Sequence, residues 1–174
     1  TISNASTGAT IVFNGTNWEF ESVLHYQAGV RLASNGTALT ALYNNGTAGV
    51  GATLTNAGTQ AALVIDGVTM VVGDRVLVYN QTNAYENGVY AVTNIGSGST
   101  NWVLTRATDA DTYSPYSPNS LGQGDALFVT NGNTGAGETY VCNTVGTITF
   151  GTTAITFVQI SDAQIYSAGT GLTL

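Results

Sequence analysis

Short hydrophobic runs, each closed by a turn-forming pair of residues, recur along almost the whole chain. The turn pairs include Asn14-Gly15, Asp66-Gly67 and Asn87-Gly88, and such pairs favour the tight turns that join antiparallel strands. The runs between them are rich in β-branched and aromatic residues, and no stretch has the periodicity of a long amphipathic helix. The pattern therefore predicts an all-β fold, either an antiparallel β-sandwich or a small β-barrel.

The low charge of the chain excludes several kinds of partner. Charged residues make up only 7% of the 174 residues, none of them is a lysine, and three arginines stand against ten acids for a formal net charge of -7. Proteins that bind nucleic acid or anionic lipid need clusters of Lys and Arg, so we expect neither partner. No apolar run approaches the roughly 20 residues that cross a bilayer, and we expect no membrane insertion.

The strand pattern divides the chain into three parts. Residues 1–44 are expected to form an N-terminal β-hairpin and a connector, residues 45–161 the main β domain, and residues 162–174 the start of a further repeat or a linker. In the hairpin, Trp18 and Phe20 alternate with polar residues and are expected to share one face. A lone two-stranded ribbon is marginal in water, so we predict that these two aromatics pack against copies of the chain. We also expect the chain to be a segment of a longer protein.

One loop, residues 107–124, is too long to be a simple turn. It carries Asp109, Asp111, Tyr113 and Tyr116, and long loops in compact domains tend to be functional. We interpret these four residues as candidate ligand-binding residues, the alternative being a loop that packs back on its own domain. A short helical turn near its start is also expected. Calcium loops use two acids at this spacing, but the rest of their pattern is absent, so no metal is predicted.

The remaining polar residues favour structural roles. Asp74 and Arg75 open the strongest predicted strand, and Arg106 ends another strand just before the long loop. We expect Arg75 to pair with an acid such as Asp109 or Asp125, and Arg106 to fasten the loop, because the planar guanidinium suits such contacts. The functional alternative is that the arginines bind a ligand carboxylate.

The single histidine and the single cysteine limit the chemistry that is available. His25 and Cys142 have no second residue of their kind, so neither a zinc site built on cysteines nor an internal disulfide can form. A catalytic triad cannot be completed with conviction from the sequence. We therefore predict no catalytic residues and no cofactor, with His25 at a surface or interface and Cys142 as a small apolar strand residue.

Five segments of the main domain form a recognisable combination of motifs. They are Gly-Val-Gly-Ala-Thr-Leu-Thr-Asn (49–56), Ile-Asp-Gly-Val (65–68), Val-Gly-Asp-Arg-Val-Leu-Val-Tyr-Asn-Gln-Thr (72–82), Glu-Asn-Gly-Val-Tyr-Ala-Val-Thr (86–93) and Trp-Val-Leu-Thr-Arg-Ala-Thr-Asp-Ala-Asp (102–111). Together they resemble a module that is repeated in bacteriophage tail fibre proteins, in phages and prophages of aquatic bacteria. The resemblance implies a structural virion protein, a homotrimer on an extracellular tail fibre that contributes to host attachment. The implied partners are further copies, other tail proteins and a polysaccharide or protein of the host surface.

Two other functions remain open at this point. The first is a carbohydrate-binding or depolymerase domain of a receptor-binding protein, for which Tyr113 and Tyr116 would supply the aromatic contact surface. The second is a repeat of a bacterial surface adhesin. A non-enzymatic fibre module is the leading hypothesis, because the residues that would perform catalysis cannot be assembled from the sequence.

Overall fold

The computed structural model describes residues 11–13 and 18–20 as backbone, and residues 25–36, 38–115 and 117–161 with their side chains. These residues form fourteen short strands and one 3-10 turn, Ala84–Glu86. The strands are β1 (Ile11–Phe13), β2 (Trp18–Phe20), β3 (His25–Tyr26), β4 (Leu32–Ala33), β5 (Ala41–Asn44), β6 (Thr53–Asn56), β7 (Val64–Ile65), β8 (Val68–Thr69), β9 (Arg75–Val78), β10 (Gly88–Asn94), β11 (Val103–Arg106), β12 (Asp125–Phe128), β13 (Thr139–Cys142) and β14 (Phe157–Ser161).

The strands form two main sheets and two separate hairpins. The larger sheet has six strands in the order β4-β9-β10-β11-β6-β5, and the smaller has four in the order β14-β13-β12-β3. The hairpins are β1–β2 and β7–β8. The predicted all-β, sandwich-like fold is confirmed. No helix among the described residues is long and apolar enough to cross a membrane.

The six-stranded sheet is buried on both faces at strand β9. One hydrophobic cluster joins residues such as Leu77 of this sheet to Leu127 and Tyr140 of the four-stranded sheet. A second cluster joins Val76 and Val78 to residues of the β7–β8 hairpin and to several further strands. Successive side chains of a strand point to opposite faces, which explains how consecutive residues of β9 enter different clusters. At β9 the six-stranded sheet therefore lies between the two clusters, whereas Leu42 of β5 is exposed.

Two pairings in these sheets are parallel, although the sequence predicted an antiparallel arrangement. Strand β3 pairs with β12 and strand β4 pairs with β9, both in parallel register. Strands β3, β4 and β5 lie within residues 1–44, and all three pair with strands of residues 45–161. The sheets thus continue across the predicted boundary at residue 44.

Both hairpins were predicted to have two-residue turns. Asp66 and Gly67 have φ angles of 45° and 73°, and Ile65 pairs with Val68, so the predicted two-residue turn is confirmed. Asn14 and Gly15, predicted as the turn of the first hairpin, lie outside the described residues, and the strands on either side pair Phe13 with Trp18. Four residues therefore separate the paired positions.

Candidate functional site

The long loop between β11 and β12 doubles back on the domain. The Leu121 N–H donates to the Thr112 carbonyl at 2.9 Å, and Tyr113 and Leu121 form an isolated parallel bridge. Ala107, Ala110 and Leu121 are buried in the cluster between the two sheets. The helical turn predicted around Asp109 to Tyr113 is not formed; a turn at residues 107–110 is closed instead by a 2.9 Å bond from the Ala110 N–H to the Ala107 carbonyl. This loop is thus anchored along its length by small apolar residues.

Asp109 is held by an arginine of the neighbouring sheet. Arg75 Nη1 lies 2.9 Å from Asp109 Oδ1, and both side chains are about one quarter exposed. Arg75 also donates to the Gly29 carbonyl at 3.3 Å and the Ala28 carbonyl at 3.4 Å. Of the two partners considered for Arg75 from the sequence, the structure places Asp109 in contact. One guanidinium therefore joins β9, the segment before β4 and the start of the long loop.

Asp74 has a similar anchoring position. Its Oδ2 pairs with Arg31 Nη1 and also accepts a hydrogen bond from the Val71 N–H at 2.8 Å. The carboxylate thereby closes the turn before β9 and ties it to the segment that leads into β4.

The two acids of the loop do not act as a pair. Asp109 contacts Arg75, whereas Asp111 is buried and its pKa is raised, chiefly by desolvation. Burial leaves little of Asp111 accessible to a ligand. Among the described residues no three His, Cys, Asp or Glu side chains lie close enough together to hold a metal ion.

The structure describes only some of the aromatic side chains that were proposed for ligand contact or for a trimer interface. Tyr113 is half-buried and packs against the cluster between the sheets, so a fraction of its ring is available to a partner. Tyr116 lies outside the described residues, and so do the side chains of Trp18 and Phe20. Their predicted roles in ligand contact and in a trimer interface stay predictions.

Arg106 occupies a position that its sequence context did not indicate. It is 2% exposed, and it donates to the Asn87 carbonyl at 3.0 Å and to Tyr90 Oη at 2.9 Å. The guanidinium carbon lies 4.8 Å from the centre of the Tyr90 ring and 4.9 Å from that of Phe150. The two ion pairs within the described part of the chain involve the other arginines. Arg106 therefore contacts carbonyl, hydroxyl and aromatic groups, while its buried Nε has no hydrogen-bond partner among the described residues. Its charge also lowers the pKa of Asp111 in the long loop in part.

Two further carboxylates have roles that the sequence analysis missed. Asp66 Oδ2 accepts hydrogen bonds from the N–H groups of Thr134 and Gly135, at 3.0 and 2.9 Å, and Oδ1 accepts one from the Thr134 hydroxyl. Desolvation alone would raise its pKa, but these bonds outweigh it and leave the pKa lowered. Asp125 is fully buried, and desolvation raises its pKa to about 6. Local sequence gives no signal for either environment, because each depends on a distant segment.

A cleft of about 340 Å³ opens on the side of the six-stranded sheet that faces the β7–β8 hairpin. Its lining is entirely uncharged and consists of Leu39, Thr40, Asn56, Gly58, Thr59, Ala62, Leu63, Val64 and Trp102. Its volume falls within the range of small-molecule sites. Asn56 shapes its floor, since its side chain donates to the Thr59 carbonyl at 3.1 Å and accepts from the Gly58 N–H at 2.9 Å.

The outer face of the four-stranded sheet carries exposed apolar side chains. Tyr26 is 70% exposed, Phe128 45%, Val158 44% and Ile160 50%. Strand register places Tyr26, Ala126, Val141 and Val158 in one row across the sheet, and alternation brings Phe128 to the same side. Ala126 and Val141, in the middle of this row, are buried, and Ile160 lies at an irregularity in the pairing of β14. We refer to Tyr26, Phe128 and Val158 as the outer apolar face.

Comparison with known proteins adds no relative. No family model, curated protein or solved structure matches this chain. The conclusions about function therefore depend on the residues and the geometry described above.

Proposed function

We propose that the chain is a structural module of a bacteriophage tail fibre that assembles as a homotrimer and contributes to host attachment. The observation that carries the proposal is the outer apolar face, whose exposed side chains come from β3, β12 and β14 of the smaller sheet. Exposed apolar side chains grouped on one face of a domain often mark an association site.

The interior of the domain suits a mechanical role. Turns and loops are fastened by side chains from distant segments, as at Asp66, Asp74 and Asp109. Each such bond restricts a loop that would otherwise be free to move, so the domain is expected to transmit force with little deformation. A rigid domain that joins others through an apolar face has the properties of a fibre subunit.

The mass of the 174-residue chain in solution tests this proposal. Sedimentation equilibrium at micromolar concentration should give the mass of three chains. The double variant Phe128→Ser with Val158→Ser should shift the mass towards one chain, because it removes apolar area from the proposed contact. Leu42→Ser is the control, since Leu42 is also an exposed apolar residue, at 69%, but lies on β5 of the other sheet. A monomeric wild-type chain, or an equal effect of both sets of substitutions, would contradict the assignment.

The uncharged cleft favours a second candidate function, the binding of a neutral carbohydrate of the host surface. Sugars are commonly bound by an aromatic ring together with a few hydroxyl and amide groups, and the cleft offers Trp102, Thr40 and Asn56. Trp102 is largely buried, so its contribution would come from the edge that lines the cleft. This candidate can coexist with assembly through the outer apolar face, which lies on the other sheet.

Screening against a glycan array identifies a ligand if one binds. In a Trp18→Phe background, Trp102 is the only remaining tryptophan, and its fluorescence should change on binding. Thr59→Val should then weaken binding several-fold, while Thr69→Val, an exposed threonine on β8, should leave it unchanged. Release of reducing ends from a bound polysaccharide would indicate a depolymerase instead. Absence of any bound glycan would leave only the structural role.

A further inference from the structure

Two buried oxygen atoms near the end of the four-stranded sheet lack a hydrogen-bond donor. Asp125 lies on β12 and is fully buried, and Gln27 directly follows β3 beside it. Within the described part of the chain, neither Asp125 Oδ1 nor Gln27 Oε1 accepts a hydrogen bond. Unpaired buried acceptors are strongly disfavoured, so these two atoms require an explanation.

The other atoms of both side chains hold one segment of the long loop. Asp125 Oδ2 accepts a hydrogen bond from the Gly122 N–H at 2.7 Å. Gln27 Nε2 donates to the Ser117 carbonyl at 3.1 Å and to the Ser120 carbonyl at 3.4 Å. The segment 117–122 is thus attached to the sheet by the same two residues that carry the unpaired oxygens.

Protonation of Asp125 removes the buried charge with no further group, because a neutral carboxyl is less costly to bury than a carboxylate. A cation is a poorer solution, since it needs about six oxygen ligands and two nearby carbonyls are already taken by Gln27. Burial also raises the pKa of Asp125 to about 6, although the hydrogen bond from the Gly122 N–H, the Gln27 side chain and the proximity of His25 lower it in part.

The groups that face Asp125 carry no permanent charge. His25 is its Cα partner on β3. Cys142 lies opposite on β13, as the pairing of Ala126 with Val141 requires. The pKa of the Cys142 thiol is raised, first by burial and to a smaller extent by Asp125. Neither neighbour supplies a fixed positive charge that would keep Asp125 ionised.

We propose that Asp125 and Gln27 form a proton-dependent latch on segment 117–122. When Asp125 is neutral, the two side chains hold the segment on the sheet. When Asp125 loses its proton, a carboxylate is buried with no donor at Oδ1, and the segment opens to let water reach the charge. The latch operates within one chain and does not depend on the oligomeric state.

Hydrogen exchange of the full 174-residue chain tests the latch. Amide protection of residues 119–122, corrected for the intrinsic effect of pH on exchange, should fall at least about tenfold between about pH 4.5 and pH 8. Asp125→Asn mimics the neutral carboxyl, because it can accept from the Gly122 N–H and carries no charge at any pH. It should keep the same protection at both pH values. Unchanged protection in the wild type, or an equal fall in Asp125→Asn, would overturn the proposal.

Two further measurements exclude other origins of the effect. A histidine ordinarily titrates in the same pH range, so His25→Gln serves as a control and should retain the fall in protection. A carbon NMR titration of the wild-type carboxyls does not depend on any variant folding. It should show Asp125 titrating near pH 6 together with shifts of the amides of residues 119–122. A midpoint below about pH 4.5, or titration without movement of these amides, contradicts the latch.

Discussion

Alanine at position 88 should be incompatible with the buried guanidinium of Arg106. Gly88 has a φ of 147°, and a Cβ atom built on it would lie 2.0 Å from Arg106 Nη1. The side chain of Arg106 cannot move away easily, because it is bonded to the Asn87 carbonyl and Tyr90 Oη and lies against the Tyr90 and Phe150 rings. The added methyl group must therefore disturb either these contacts or the start of β10.

The size of this effect follows from the contacts that the methyl group disturbs. A hydrogen bond of a charged donor contributes about 1.5–3 kcal/mol, and unfavourable backbone conformation adds about 1 kcal/mol. Gly88→Ala should therefore lower the free energy of unfolding by about 3 kcal/mol. In an Arg106→Met background the guanidinium is absent, and the same change should cost only about 1 kcal/mol. Arg106→Met itself is expected to destabilise, since the Asn87 carbonyl loses a donor.

Urea denaturation of the wild type, both single variants and the double variant completes a double-mutant cycle. The reasoning predicts a coupling energy of about 2 kcal/mol between the two positions. Additive effects, within about 0.5 kcal/mol, would refute the claim that the clash with Arg106 causes the loss of stability.

Three further predictions concern individual carboxylates and the loop. The pKa of Asp125 is raised from 3.8 to about 6, so the folded state binds this proton more tightly than the unfolded state does. The free energy of unfolding should therefore fall as the pH rises through this range. Asp125→Asn should remove this loss and be more stable than the wild type by up to about 3 kcal/mol at pH 8, measured by urea denaturation. The pKa of Asp66 is lowered, so Asp66→Asn should reduce the free energy of unfolding by about 1–3 kcal/mol at pH 7 in the same assay. This difference between the variant and the wild type should shrink as the pH falls below 3.8. An equal difference at all pH values would contradict the prediction. Arg75→Met should increase proteolytic cleavage near Asp109, because the contact at 2.9 Å is lost, whereas unchanged cleavage would show that the apolar anchors suffice.

The sequence predicted a side-chain contact of the candidate site correctly only for an arginine, because the chain offers an arginine few acidic partners. With three arginines in the whole chain, an acid in the long loop was a reasonable partner for Arg75, and Asp109 takes that position. The burial of Asp111 and the partial burial of Tyr113 depend on how the loop folds back, which composition does not report. Asp125 was considered only as a partner for an arginine, and it lies instead beside Gln27 and His25.

The sequence by itself determined the local elements of this protein. The Asp66-Gly67 turn and the strand β9 follow from turn chemistry and alternation, which act between residues that are close along the chain. Only the tertiary structure decided the parallel pairings of β3 with β12 and of β4 with β9, because strands so far apart in sequence share no turn that could indicate them. It also decided that Arg106 and Asp125 are buried. Burial depends on which distant segments cover a side chain, and no neighbouring residue carries that information.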